Sequence, residues 1–224
     1  MKRLKAAVVG MGFIGFAHVE ALRRIPHVDV VAIADSFGAK EKAERLGVPA
    51  GYADYVEMMD ACKPDCIHIC TPNSTHMAIA MAAIERGIHV VCEKPMARNA
   101  EEAQKMVDAV RKSGVIGALN FHNRYYPIPY RMRRMALDGE LGEIYHIQGG
   151  YLQDWLQYKT DFSWKLLSDQ CGKTRATADL GSHWIDLAEY VTGQQVTEVF
   201  AEFKTVYPQR TQMTEQGPKD VDID

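Results

Sequence analysis

A chain of 224 residues has room for one large domain or two small ones, and 47% apolar with 25% charged residues is the composition of an ordinary globular protein. A formal charge of -3 offers no surface for nucleic acid or an anionic membrane, and no apolar run reaches the roughly 20 residues of a membrane-spanning helix. The cysteines Cys62, Cys66, Cys70, Cys92 and Cys171 show no CxxC or Cys/His ligand spacing, so neither disulfides nor a bound metal is expected, and the chain reads as cytoplasmic.

The basic start, Met1 to Lys5, leads into an apolar stretch that glycines interrupt, with no small-residue cleavage site after it; it reads as a strand, not a signal peptide. That strand runs into Gly10, Gly12 and Gly15, and an amphipathic helix (14–24) follows until Pro26 stops it. A strand over 28–35 comes next, then a charged helix over 39–46 closed by Gly47, and a short extended piece at 50–52. A helix over 54–62 ends before Pro64, and 66–70 is almost wholly apolar, as a strand covered on both faces would be. Thr71-Pro72-Asn73-Ser74 forms a turn, with Asn73 or Ser74 as cap of a helix that runs to Arg86 and stops at Gly87. A strand over 89–92 ends in Glu93-Lys94-Pro95, Asn99 caps a helix to Ser113, Gly114 closes it, and 115–121 is a sixth strand. Six alternations of strand and helix argue an α/β fold with a doubly wound parallel sheet.

The rhythm changes near residue 122. A helix over 128–137, with Arg131, Arg133 and Arg134 on a solvated face, gives way to a turn at 138–142. Strands are expected at 144–151 and 196–207, an aromatic irregular segment (Trp155, Tyr158, Phe162, Trp164) after the first, and a helix over 180–191 before the second. The division expected is a dinucleotide-binding domain over 1–122 and a second α/β domain, with a largely antiparallel sheet, over 123–224.

The strand–glycine loop–helix order is a dinucleotide-binding fingerprint. Gly10 allows the tight turn, Gly12 lets the backbone approach a pyrophosphate, and Gly15 lets the helix pack on the strand, so the loop from Gly10 through Phe13 and Ile14 to Gly15 is the expected phosphate site. Asp35, at the end of the second strand, is placed to bond the ribose of NAD; an acid there repels a 2′-phosphate and no arginine follows closely, so NAD is favoured over NADP.

Three clusters remain. Glu93-Lys94-Pro95 ends a parallel strand, where open α/β sheets bind ligands; Lys94 is a ligand contact or a surface lysine, and its bond to Pro95 is a candidate for cis. Thr71, Pro72, Asn73 and His76 lie at another strand end, where capping accounts for the polar residues and cofactor contact is the sharper alternative. Asp179 and His183 are four apart, so they share a helix face; His183 suits proton transfer, although the residues alone favour a helix cap and a satisfied histidine.

GMGFIG with Asp35, CTPNSTH, HVVCEKPMA, NRYYP at 123–127 and ADLGSHWIDLAEYVTG together resemble the Gfo/Idh/MocA oxidoreductases, in order and over nearly the whole chain. The resemblance implies an N-terminal Rossmann domain and a C-terminal α/β domain whose sheet carries an oligomer interface, hence a homo-oligomer where that sheet is complete. It implies catalytic roles for Lys94, Asp179 and His183, and cofactor contacts from Thr71, Pro72, Asn73, His76, Glu93 and Lys94. It also implies an NAD-dependent dehydrogenase acting on a hydroxyl-bearing carbon of a sugar, inositol or related polyol. The alternatives are a nucleotide-binding protein without turnover and a same-fold reductase of an aldehyde, ketone or imine. The family's sheet continues beyond the strand expected at 196–207, whereas this sequence ends in a polar tail with Asp220, Asp222 and Asp224, so it reads as C-terminally truncated. Lys173 to Ala178 stands where the family often has a glycine pair.

Overall fold

Apolar strands covered on both faces account for the first half of the molecule. The computed structural model describes residues 3–223; Met1, Lys2 and Asp224, which bear on the basic start and the acidic tail, lie outside the described residues. The chain divides into two compact units, Met1–Asn120 and Phe121–Asp224.

In the first unit β1 (Leu4–Val9), α1 (Phe13–Arg23), β2 (Val28–Ala34), α2 (Ala39–Leu46), β3 (Gly51–Tyr52), α3 (Tyr55–Cys62), β4 (Cys66–Ile69), α4 (Asn73–Glu85), β5 (His89–Glu93), α5 (Ala100–Ser113) and β6 (Gly117–Asn120) alternate. The six strands form one parallel sheet in the order β3-β2-β1-β4-β5-β6. Successive strand side chains point to opposite faces. Ala7, Val9, Ala32, Ala34, Ile67 and Ile69 enter one core, while Ala6, Val8 and Ile33 enter the other. Both faces are therefore dry, and the strands read as unbroken apolar runs. Asn99 caps α5 by accepting the Glu102 N–H at 2.9 Å, and Asp54 caps α3 through Val56 and Glu57. At α4 the N-cap is Pro72, so the expected cap, Asn73 or Ser74, is corrected: Asn73 is the first helical residue.

The chain winds outward from β1 to β3, then returns to place β4 on the other side of β1. That reversal opens a crevice at the C-terminal strand ends. Gly10, Asp35, Thr71 and Lys94 each follow a strand of this sheet directly or within two residues.

The second unit holds α6 (Pro127–Leu137), a tight turn at Trp164–Leu166, α7 (Ser168–Cys171), a wide π-type turn at Thr177–Gly181, α8 (Ser182–Thr192) and an antiparallel hairpin of β7 (Gln209–Thr214) and β8 (Gly217–Asp222). Two expectations are corrected here. Segments 144–151 and 196–207 are not strands, because a strand needs a neighbour for its N–H and C=O groups and neither has one among the described residues. Val199, Phe200 and Phe203 along the second are exposed. The hairpin forms instead in the polar tail, where a tight turn and the pairs Thr211–Asp220 and Gln209–Asp222 decide the pairing. Arg210 anchors it by donating to the carbonyls of Leu156, Tyr158 and Asp161. Arg131 and Arg134 pair with Glu140 and Asp138 on the outer face of α6. Arg133 departs from that face: it donates to the Tyr190 carbonyl and lies 4.6 Å over the Tyr190 ring.

Candidate cofactor and active site

The glycine loop is built so that nothing larger fits at two of its three glycines. Gly10 has φ +88, and a Cβ there would stand 2.8 Å from the Cys70 carbonyl. A Cβ on Gly15 would stand 2.0 Å from the Gly10 oxygen, so α1 meets the loop in backbone contact. At Gly12 a Cβ would find nothing within 4 Å. Gly12 is also the N-cap of α1 with no side chain capping it, so the helix presents its first turn to open space beside Phe13 and Ile14. Those are the requirements of a pyrophosphate cradle: close backbone, free N–H donors and a positive dipole end. Asp35 is joined to this loop, its Oδ2 accepting the Met11 N–H at 2.7 Å and its Oδ1 the Phe37 N–H at 2.9 Å. Burial alone would raise its carboxyl, but Lys42, 2.9 Å away, and the two N–H donors outweigh burial and hold it below the usual carboxylate range. The residues present fit a dinucleotide, with phosphates over Gly10–Gly15 and a ribose at Asp35.

At the next strand ends the polar residues brace one another. His76 is 1% exposed, with Nδ1 2.9 Å from the Pro95 carbonyl and Nε2 2.9 Å from the Thr71 carbonyl; the neutral ring donates its single N–H to one of them, as the tautomer decides. Burial lowers its pKa although both carbonyls favour the cation. His76, expected as a cofactor contact, is thus a buried ring that faces two backbone carbonyls. Thr71 accepts a hydrogen bond from the Thr75 hydroxyl at 2.7 Å, and Asn73 is buried at the start of α4. The Lys94–Pro95 bond is cis.

Glu93 is 6% exposed and belongs to a network that motif reading missed. Its Oε1 lies 3.0 Å from His18 Nε2 on α1 and accepts from Asn120 on β6, while Oε2 accepts the Lys94 N–H at 3.3 Å. His18 Nδ1 in turn meets His68 Nδ1 at 2.8 Å. Burial pushes Glu93 up, but His18, Asn120 and the Lys94 N–H overcome it and hold it ionised below its ordinary range. Burial, with His18 beside it, drops His68 to about 4, so His68 is neutral near pH 7. An ionised carboxylate thus sits directly under Lys94, held from three elements. The only local signal was polar residues (His18, His68) inside otherwise apolar periodic segments.

In the second unit Asp179 lies in the wide turn before α8 and His183 in the first turn of α8. Lys165 reaches both Asp179 oxygens at 3.0 and 3.1 Å and lies 4.8 Å over the Trp155 ring. Lys165 also escaped motif reading, since it stands 14 residues before its partner. His183 is 4% exposed and ringed by Phe121, His122 and Tyr151, with centroids at 5.9, 5.3 and 5.5 Å, the Tyr151 ring stacked. Asp186 is buried against Arg124 in a two-oxygen ion pair that fixes α8 to the turn before α6. Among the described residues no group of three or more His, Cys, Asp or Glu side chains could hold a metal ion, and no helix is long and apolar enough to cross a membrane.

A sheet of order 3-2-1-4-5-6 with a glycine cradle after β1 and an acid after β2 defines a dinucleotide-binding domain of the doubly wound class. Comparison with known proteins narrows this. Residues 4–121 match the oxidoreductase family with an NAD-binding Rossmann fold, and residues 130–223 match the GFO/IDH/MocA C-terminal domain. The chain belongs to the Gfo/Idh/MocA oxidoreductase family, and its first unit is that family's NAD-binding Rossmann domain. It is 33% identical over 221 residues to levoglucosan dehydrogenase of Pseudarthrobacter phenanthrenivorans, covering 94% of this chain and 56% of that protein. It is 31% identical to D-glucoside 3-dehydrogenase of Escherichia coli, covering 85% of this chain and 54% of that one. The chain thus spans about half the length of these curated relatives. Among solved structures, levoglucosan dehydrogenase in complex with NADH and levoglucosan superposes with a TM-score of 0.89 at 32% identity, covering 99% of this chain and 62% of that one. An oxidoreductase domain protein from Kribbella flavida gives 0.91 at 29% identity, covering all of this chain and 61% of that one.

Proposed function

We propose that this protein is an NAD-dependent dehydrogenase of a sugar, inositol or related polyol, with a cofactor half over residues 1–122 and a substrate half over 123–224. The observation that carries the reading is the joining of the open glycine cradle to Asp35 through the Met11 N–H, in a chain whose relatives include levoglucosan and D-glucoside dehydrogenases. Bound NAD supplies the acceptor for a hydride from the carbinol carbon.

The protein's own groups handle the proton and the charge. His183 takes the proton of the reacting hydroxyl as the carbon–oxygen double bond forms, the task for which an imidazole is suited near neutral pH. Its ring is held by Phe121, His122 and Tyr151, so its orientation is set before substrate arrives. Lys94 donates to the reacting oxygen and stabilises the negative charge that develops there. Glu93 holds the Lys94 backbone N–H and so positions the residue. Asp179, clamped by Lys165, balances the charge of the cations around it. Thr71, Pro72 and Asn73 line the strand end beside the cradle. The reading extends to a reducing, cytoplasmic setting, supported by cysteines that form no disulfide, with burial pushing Cys66 to about 11 and Cys92 to about 12. It extends also to self-association through the C-terminal sheet.

The test is NAD⁺ reduction across a panel of sugars and polyols, with kcat followed against pH for the native chain, Lys94→Ala and His183→Ala. Each variant is expected to lose at least about a hundredfold in kcat, the size of a general acid–base or electrostatic contribution. If both keep more than a tenth of the native rate, the role assignment is wrong. NADH binding with no turnover on any substrate would favour the nucleotide-binding protein without catalysis.

A further inference from the structure

We propose that Lys42 sets the balance between NAD and NADP, holding a cation where a 2′-phosphate would approach and weakening the exclusion that Asp35 would exert alone. The proposal rests on the cofactor reading above. A carboxylate has about four acceptor positions. At Asp35 three are filled: Oδ2 takes the Met11 N–H at 2.7 Å and Lys42 Nζ at 2.9 Å, and Oδ1 takes the Phe37 N–H at 2.9 Å. One position, on Oδ1, is left for a ribose hydroxyl. An aspartate that selects NAD outright would grip both hydroxyls of the ribose, and this one does so only if Lys42 withdraws.

The electrostatics follow the same geometry. An aspartate standing alone presents a 2′-phosphate with an uncompensated negative charge. Here the ammonium touches the carboxylate, so at the range of a phosphate the two charges largely cancel. Both side chains keep solvent access, 24% for Lys42 and 14% for Asp35, so the lysine is free to swing from the acid to an arriving phosphate. Lys42 belongs to the first turns of α2, whose N-terminal dipole also favours an anion. The sequence favours NAD over NADP because an acid at Asp35 repels a 2′-phosphate and no arginine follows it closely. The lysine that does the work stands further along the helix, and the turn through Gly38, at φ +62, brings it back to the strand end.

The test is titration of NADH and NADPH by nucleotide fluorescence on the native chain and on folded variants verified by circular dichroism. The native chain is expected to bind NADPH within about tenfold of NADH, and Lys42→Gln to raise the NADPH/NADH ratio of Kd about fivefold, the effect of one charge at contact range in water. Lys42→Arg, which keeps the cation, should preserve the ratio. Lys40→Gln, an exposed charge of the same helix, should move it by less than about twofold. Asp35→Ser, which leaves Lys42 unopposed, should put NADPH ahead of NADH. A ratio that changes less than about threefold in Lys42→Gln, or as much in Lys40→Gln, overturns the proposal. Failure of the native chain to bind NADH would overturn the cofactor reading itself, which is a different result.

Discussion

In the first unit the sheet is covered on both faces by apolar side chains; in the second, only Leu166, Cys171 and Ile223 of the described hydrophobic residues are buried, and the groups that lock it are charged or aromatic. Arg124 with Asp186, Arg133 with Tyr190, Lys165 with Asp179, and Arg210 with three carbonyls join elements of the second unit. Apolar burial is non-directional and tolerates repacking, whereas an ion pair fails when either partner is lost. The first unit therefore supplies a rigid floor on which a loop and a few polar residues can be placed. The second is held by the same kind of residue that its proposed chemistry uses.

That contrast is open to direct attack, beginning with the largest expected effect. Ile67→Ala removes a fully buried side chain at the centre of the sheet and should destabilise the first unit by about 4 kcal/mol, as a cavity in a packed core does. Urea unfolding gives the size, and hydrogen exchange should show protection lost in β1, β4 and β5 while α6 and α8 keep theirs. Asp186→Ala should do the reverse, costing about 3 kcal/mol and opening α8 against a steady β-sheet. That figure is at the lower end for a broken buried pair because the Arg124 side chain keeps 39% of its exposure. Loss of protection in the sheet instead would show that the two units do not differ as described.

A third test uses pH. His68 is held at about 4 in the fold against 6.5 in the open chain, so as pH falls the unfolded chain takes the proton first. Stability from its neutral burial is complete above about pH 6.5 and drains away between there and about pH 4, by about 3 kcal/mol. His68→Gln should flatten that window and leave the acid limb below it, where the depressed carboxyls of Asp35 and Glu93 are protonated. An unchanged slope between pH 4 and 6.5 in the variant would assign the effect elsewhere. Smallest is Lys165→Met, expected to cost only about 0.5–1 kcal/mol, since both partners of that pair are partly exposed. Its mark should be a lower kcat with the melting temperature moved by no more than a few degrees.

Much of the first unit was legible because its signals are local. Helix α2 begins after Gly38 and ends at Gly47, both in the left-handed region, and α5 lies between Asn99 and Gly114. The second unit was less legible for a matching reason. Segments 144–151 and 196–207 carry β-prone residues, yet a strand exists only with a partner, and periodicity says nothing about partners. The hairpin formed in residues whose composition argued against it, because a short turn and cross-strand polar pairs were enough.

The sequence by itself determined the alternation of strands and helices, the glycine loop and the acid after the second strand. Each of these depends on neighbours within a turn or a strand length. Only the tertiary structure decided which partners hold these residues. Glu93 meets His18 from 75 residues away and His18 meets His68 from 50, while Asp186 takes Arg124 across 62. Such pairs arise where the sheet order and helix packing bring polar groups into a dry interior, and a buried polar group must find a partner there. Lys42 is the nearest in sequence and was still missed, because its role follows from where a helix turns its ammonium, not from its distance along the chain.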